Sequence, residues 1–579
     1  MSTAKEKLNK LRAINELLGK KVSSRAELMA IKRKLAKKHN VGILLNSEIL
    51  KEYRNRLEAG VIKRRLELEK ILRKRTVRTL SGIAPVAVLT KPYACPGKCA
   101  YCPTEKNVPQ SYLSNEPAVM RAIRCGYDPY KQVQLRLRAL EANGHQPTKI
   151  ELIVIGGTWS VLPEKYKLWY IKECFRAANE FEKVKSAKIK MKNDNVKCKI
   201  IKLKNDLNIE QKKNEGAKYR IIGITLETRP DYINEKELWQ MRELGATRVE
   251  MGVQALDDKI LKLNKRGHGV AEIVKATELL KNFGFKVTYH IMPGLPGSTA
   301  KKDLVMFKKL FTPLDKIKTL VLKPNDKNKD KKIFKFVNNK SYLMGFSDER
   351  FQPDQIKFYP TVVTRGSLLY HWWKAGKYRP YSQKVLENLI IECKKIVPPY
   401  VRIIRLIRDI PGESIIAGNK VTNLRQIIFD RGIVCNCIRC REAGEKELRI
   451  KNLELRIIKY KASGGEEYFL SYESRDGKVL YGFCRLRMGS KNTTPLAPLV
   501  RGVAMIRELH VYGELVPVGG KKKVQHAGLG RKLMSQTEAI AKKQGYSKIA
   551  VIAGIGVRQY YRKLGYRLEV SYMVKNLFK

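Results

Sequence analysis

Short apolar runs that end in polar or glycine-containing loops, with helical stretches between them, predict an α/β protein built on a parallel, partly closed (β/α) barrel. After it the pattern changes to meandering strands, a glycine turn, a helix and a last strand, which predicts a second α/β unit. A third observation sets the beginning of the chain apart: residues 1–78 join helical apolar spacing to the most basic composition of the sequence. At about 100–200 residues per domain, 579 residues make two to four domains. The expected division is a basic helical module at 1–78, a barrel with Lys-rich insertions at 79–395, a linker at 396–445 and the second α/β unit at 446–579.

Charge and cysteine usage narrow the function. Lys and Arg number 117 against 55 Asp and Glu, a formal charge of +62, while 43% of the residues are hydrophobic. The apolar share excludes a disordered chain, and the charge points to a polyanion, nucleic acid first. A heat-adapted habit would balance Lys with Glu, and this chain does not. Eleven cysteines behind a polar start, "MSTAKEKLNKL", predict a reducing cytoplasmic setting where clustered thiols bind metal or do chemistry. The longest apolar runs, "IELIVIGG" and "KIAVIAGIGV", fall far short of the roughly 18 residues that span a bilayer. No membrane partner is expected.

Each element has its own signal. "EKLNKLRAINELLGKK" and "SEILKEYRNRLEAGVIKRRLELEKILRKRTVR" carry helical spacing, either to hold phosphates or to pack as a solvated pair on the next domain. "VAVLT", "KIELIVIGG", "RIIGITLETRP", "ATRVEMGVQ", "FKVTYHIMPGLPG" and "DQIKFYP" are the expected barrel strands, with "PEKYKLWYIKECFRAANEF" and "EKELWQMREL" among the helices between them. Chemistry on such a scaffold belongs at the C-terminal strand ends. Lys/Asn-rich stretches near 182–218 and 322–350 are expected as surface insertions.

Cys95, Cys99 and Cys102, in "CPGKCAYC", follow the first strand directly. Pro96 and Gly97 let the loop turn tightly enough to aim three thiols at one place. Three thiolates on a four-iron cluster leave one iron open to the amino and carboxylate groups of S-adenosylmethionine (SAM); a zinc loop or inert thiols are the alternatives. A second trio, Cys435, Cys437 and Cys440, suits a structural zinc whose fourth ligand the spacing does not show, with free thiols the other reading. "QHAGLG", Gln525–Gly530, fits Gln-x-x-Gly-x-Gly just before a helix, where bare N–H groups and the helix dipole bind pyrophosphate.

The first cysteine spacing, with an aromatic before the last thiol, resembles the radical SAM superfamily signature. That resemblance implies SAM contacts from Gly156, Gly157 and Thr158, and from Glu227 and Gln254 at later strand ends. The C-terminal unit, with "RELHV" before the glycine motif and "YYRKLGY" after the next strand, resembles the GNAT acetyltransferase fold, which binds acetyl-CoA. The union of the two is similar to the catalytic-subunit family of Elongator in its archaeal form. "SYLSNEPAVMRAIRCGYDPY", "ITLETRPDY", "GVQALDDKILKLNKRGH" and "KFYPTVVTRG" carry that likeness from about residue 75 onward.

This resemblance implies an enzyme that uses SAM radical chemistry and acetyl-CoA to install a carboxymethyl group at C5 of the wobble uridine in a tRNA anticodon stem-loop. It implies a 4Fe–4S cluster and an electron donor, and places acetyl-CoA on Glu508, Leu509, His510, Val511, Gln525, Gly528, Leu529, Gly530, Arg531 and Tyr561. Lys149 would reach across from the barrel, with Tyr561 as its catalytic companion. A protein lysine acetyltransferase, with the barrel as scaffold, is the competing expectation; homodimerisation stays open.

Overall fold

The computed structural model describes residues 4–73, 82–182, 199–311, 318–322, 335–336, 348–444, 453–489, 502–513 and 528–578. Helices α1 (Ala4–Gly19), α2 (Arg25–Lys38), α3 (Asn46–Glu58) and α4 (Leu66–Leu72) form the N-terminal module. Their apolar stripes meet in a core of their own, including Leu17, Leu28, Leu35, Ile49 and Tyr53, while Lys5, Lys7, Arg12, Lys21, Arg33, Lys34 and Lys37 stay exposed. The module leans on the barrel where Arg73 and Leu50 close over Gly144.

Strands β1 (Ala84–Leu89), β2 (Lys149–Ile155), β3 (Arg220–Thr228), β4 (Arg248–Gln254) and β5 (Lys286–Ile291) pair in sequence order, all parallel. β6 (Lys318–Leu322) leaves this sheet; β7 (Gln355–Phe358) and β8 (Arg402–Arg405) complete it as a seven-stranded open barrel. Three features differ from the expectations. Residues 200–216, expected within a Lys/Asn-rich surface insertion, form a helix that buries Leu203 and Leu207 in the barrel core, because its apolar residues share one face. β8 lies past residue 395, because "RIIR" pairs in parallel with β7 and carries the sheet into the segment expected as linker. β6, expected just ahead of a surface insertion, pairs antiparallel with β9 (Glu454–Ala462) and extends the second sheet.

That second sheet continues through β10 (Gly465–Glu473), β11 (Leu480–Met488) and β12 (Val503–Val511), all antiparallel. β12 then pairs in parallel with β13 (Lys548–Val551), and β13 pairs with the C-terminal strand Tyr572–Asn576. The sheet packs under the N-terminal ends of the barrel strands. A Cβ at Gly554 would collide with Ile222 O, and one at Gly284 would sit 2.9 Å from Met505 Cγ, so glycine permits this approach. Among the described residues no helix is long and apolar enough to cross a membrane.

Candidate active site

The cysteine loop leaves β1 and returns beneath two guanidinium groups. A Cβ on Gly97 would run into Arg229 Nη1, so glycine lets the loop pass close beneath that guanidinium. Arg266 Nη1 donates to Cys99 Sγ at 3.3 Å. The hydrogen bond with Cys102, and then Arg266 and Arg229 against burial, lower the Cys99 thiol to about 5. Cys95 Sγ stands 3.9 Å from Thr158 Oγ1. All three cysteines line one cavity, yet they converge less tightly than Cys435, Cys437 and Cys440, whose sulfurs all lie within 4.8 Å of one another. Ligands to separate irons of a cluster stand apart, whereas ligands to one ion converge. The wide trio therefore fits a cluster and the tight trio a single ion.

The tight trio lies beside Lys394, whose Nζ is 3.6 Å from Cys435 Sγ and 3.7 Å from Cys440 Sγ.

Around the cysteine loop the backbone and side chains leave space for a ligand. Gly156 and Gly157 follow β2 with φ of +135° and +96°, and a Cβ on Gly156 would strike Thr90 Oγ1. Glu227, near the end of β3, accepts from Tyr112 Oη at 2.7 Å. Gln254 ends β4 in a left-handed conformation, φ 70°, unusual for a non-glycine residue. Gln254 Oε1, Tyr101 Oη and Arg229 Nη1 are buried without a hydrogen-bond partner among the described residues. Buried polar groups are rarely left so, and a polar ligand in this cavity would satisfy them.

Deeper in the barrel lies a constellation the sequence analysis did not single out. His290 Nε2 is 3.0 Å from Glu250 Oε2, Lys357 Nζ donates to the same carboxylate, and His290 Nδ1 is 3.7 Å from Glu227 Oε1. Burial alone would raise the Glu250 carboxyl; Lys357, then His290 and Arg248, outweigh it and hold the group well below the usual range. These are strand residues pointing inward, and the pairing "VEM" in β4 with "YHI" in β5 was their only sequence signal.

The same cavity, about 690 Å³, reaches the foot of the barrel, where Glu508 and His510 of β12 form its far wall. Lys286 Nζ lies 3.7 Å from Glu508 Oε1, and Arg485 Nε donates to Oε2 at 3.0 Å. Against burial, Lys286 and Arg485 draw the Glu508 carboxyl down to about 2. Burial, followed by Arg402, lowers His510 to about 4, and its ring stacks on Phe483. β12 pairs with β13 only as far as Ile506, so Glu508, Leu509, His510 and Val511 run on with β11 alone at their side.

That divergence opens toward helix α5 (Leu529–Lys543), which starts after Gly528 at φ +79°. A Cβ on Gly530 would come within 2.8 Å of Tyr560 Oη, a buried hydroxyl without a partner among the described residues. Arg531 is exposed beside it, and Tyr561 is buried in the second core. Gln525 lies outside the described residues. Lys149 begins β2 opposite Arg220, at the strand ends that face Gly554 and Gly556 of the second unit; burial and then Arg220 lower its amine. The structure thus gathers Gly157, Thr158, Glu227 and Gln254 of the expected SAM residues on the cavity's wall, with Gly156 next to Gly157 in the chain, and sets Glu508 and His510 at the far end. It puts Lys149 at the junction of the two units.

Residues 90–308 match the Radical SAM superfamily and residues 353–431 the Radical_SAM C-terminal domain. The tRNA uridine(34) acetyltransferase of Dehalococcoides mccartyi is 41% identical over 87% of this chain and 100% of its own length. Elongator complex protein 3 of Homo sapiens is 37% identical over 87% of this chain and 86% of its own. This chain belongs to the Elongator complex protein 3 family. The solved structure of the archaeal Methanocaldococcus infernus Elp3 with its N-terminus deleted matches this family member with a TM-score of 0.66 and 37% identity, over 86% of this chain and 100% of that one. As a radical SAM domain, the barrel of this Elongator-family protein implies a 4Fe–4S cluster and SAM.

Proposed function

We propose that this protein modifies tRNA at the anticodon wobble uridine, attaching at C5 a carboxymethyl group drawn from acetyl-CoA. One observation carries this reading: the three cysteines of the loop and the Glu508–His510 edge of the second sheet open on the same cavity of about 690 Å³. A scaffold barrel fused to an independent acetyltransferase would have no need of such a passage.

Cys95, Cys99 and Cys102 would hold the 4Fe–4S cluster, and Gly156, Gly157, Thr158, Glu227 and Gln254 would hold SAM. Glu508–Val511, Leu529–Arg531 and Tyr561 would hold acetyl-CoA, with Lys149 beside the junction. When bound, cluster and SAM supply a carbon-centred radical able to take hydrogen from a methyl group too weakly acidic for a base at neutral pH.

The chain's own residues do the rest. The start of α5 offers unpaired N–H groups to the pyrophosphate, and the unpaired edge of β12 offers N–H and C=O groups to the pantetheine arm. Arg248, Lys286 and Lys357 line the passage and favour the carboxylate that thioester hydrolysis leaves behind. Zinc at Cys435, Cys437 and Cys440 would brace the segment after β8 and stay outside the chemistry. An external one-electron donor completes the requirement.

The exposed cations of α1–α3 would hold tRNA phosphates, since unpaired anticodon-loop bases can be splayed into a pocket. The lysine acetyltransferase alternative is not favoured: a field of +62 repels a basic protein substrate. Anaerobic incubation with tRNA, reductant, SAM and acetyl-CoA, followed by nucleoside analysis, tests the proposal. A carboxymethylated wobble uridine supports it; unmodified tRNA beside acetylated protein overturns it.

A further inference from the structure

A second pocket, about 300 Å³, is lined by Leu263, the turn Gly294–Ser298, Trp372, Lys377 and Arg379. Its walls are tied to the cysteine loop by a chain of hydrogen bonds. Leu369 N, in the helix Leu368–Lys374, donates to Ala100 O at 2.7 Å; Ala100 N donates to Asn264 O at 3.1 Å; Asn264 Nδ2 donates to Pro296 O at 3.0 Å. The pocket is rigidly built: Tyr378 Oη donates to Gly294 O at 2.7 Å, and Asp303 accepts from Gly294 N, Ser298 Oγ and Tyr381 Oη at 2.6–2.8 Å. Gly294, at φ +79°, lies so close over the Tyr381 ring that a Cβ would come within 3.2 Å of it.

Its lining has an uncommon composition. Trp372 is half-buried and its ring has no aromatic partner among the described residues. Lys377 and Arg379 are exposed at the rim, and neither forms an ion pair with a described carboxylate. A flat indole face beside two uncommitted cations is the chemistry that takes an unpaired nucleotide, base on ring and phosphate on cation. The volume is at the small end of ligand pockets, about 300–1,000 Å³.

We propose that this pocket binds an unpaired nucleotide of the RNA substrate flanking the one that enters the barrel, its base stacked on Trp372 and its phosphate between Lys377 and Arg379. The inference rests on the tRNA reading above and adds a second point of grip. It fixes the register of the loop over the cavity mouth.

The test measures binding of a fluorescent anticodon stem-loop to the full-length protein and its variants. Trp372→Ala weakens binding by about 5- to 150-fold, the equivalent of about 1–3 kcal/mol for one stacked base, and Trp372→Phe keeps most of the affinity. Lys377→Gln together with Arg379→Gln, both on the surface, flattens the slope of log affinity against log salt by about 0.7, one phosphate's worth. Binding of coenzyme A is unchanged throughout. Equal stem-loop affinity in all variants overturns this inference alone, as does loss of coenzyme A binding in place of RNA binding. Failure of the unaltered protein to bind the stem-loop overturns both this inference and the function on which it rests.

Discussion

Arg507, on β12 of the second sheet, donates from Nη1 to Oδ1 of Asp354 at the foot of the barrel, 3.0 Å away, with both side chains fully buried. The pair does not stand alone. Arg507 also donates to Glu467 at 2.9 Å, Lys281 lies 3.6 Å from Asp354 and Arg485 lies 3.7 Å from it. Five residues drawn from both units thus share one buried charge network, and it joins the second sheet to the foot of the barrel. Removing one partner strands the others: Asp354→Ala should cost about 3–5 kcal/mol, read as a drop in thermal midpoint. Exchange of Arg507 for Met together with Asp354 for Leu should cost less than the single change.

The two cysteine trios should separate cleanly by metal analysis. Cys99→Ala in anaerobically reconstituted protein is expected to lose most iron and acid-labile sulfide while zinc content is kept. Cys437→Ala is expected to do the reverse and to lower thermal stability, because a zinc bound by this trio would be structural.

Gly156→Ala forces a side chain against Thr90 Oγ1 at a φ of +135°. SAM binding should weaken by tenfold or more, about 1.4 kcal/mol or above, with acetyl-CoA affinity unaltered. Equilibrium dialysis with each ligand in turn checks both halves of the statement.

Gly530→Ala mirrors it in the second unit, where the added methyl meets Tyr560 Oη at 2.8 Å. Acetyl-CoA affinity should fall about tenfold while SAM binding holds, measured by calorimetric titration.

Glu116 gives a pH signature. Its carboxyl is pushed up to about 7 by burial, against the pull of Arg408. A folded-state value above the ordinary 4.5 means that the folded protein binds the extra proton between these limits. Its stabilisation is therefore complete below pH 4.5 and is lost as pH rises through 7, on the order of 3 kcal/mol in all. Glu116→Gln should flatten the fall in thermal midpoint across that window.

How much of this was legible in the sequence depended on burial pattern. The six barrel strands read from their apolar runs are all present, since strands covered on both faces show as continuous hydrophobic text. β8 and β6 were not seen because "RIIR" and "KTLVL" are short and flanked by cations, and such stretches look like solvated surface. The helical module was read as helices, but its separate core is visible only once α1–α4 meet. At the site, cysteines and glycines announce themselves by spacing. Arg229, Arg266, Glu250, His290 and Lys357 do not, because charged residues that point into a polar barrel interior carry the same alternation as exposed ones.

The account turns on the acetyl methyl reaching the cysteine end of the shared cavity. Anaerobic turnover with methyl-deuterated acetyl-CoA, SAM, reductant and tRNA measures that directly, by mass spectrometry of the 5′-deoxyadenosine released. Deuterium in that product is the result the account predicts; carboxymethylated tRNA formed alongside wholly unlabelled 5′-deoxyadenosine would contradict it.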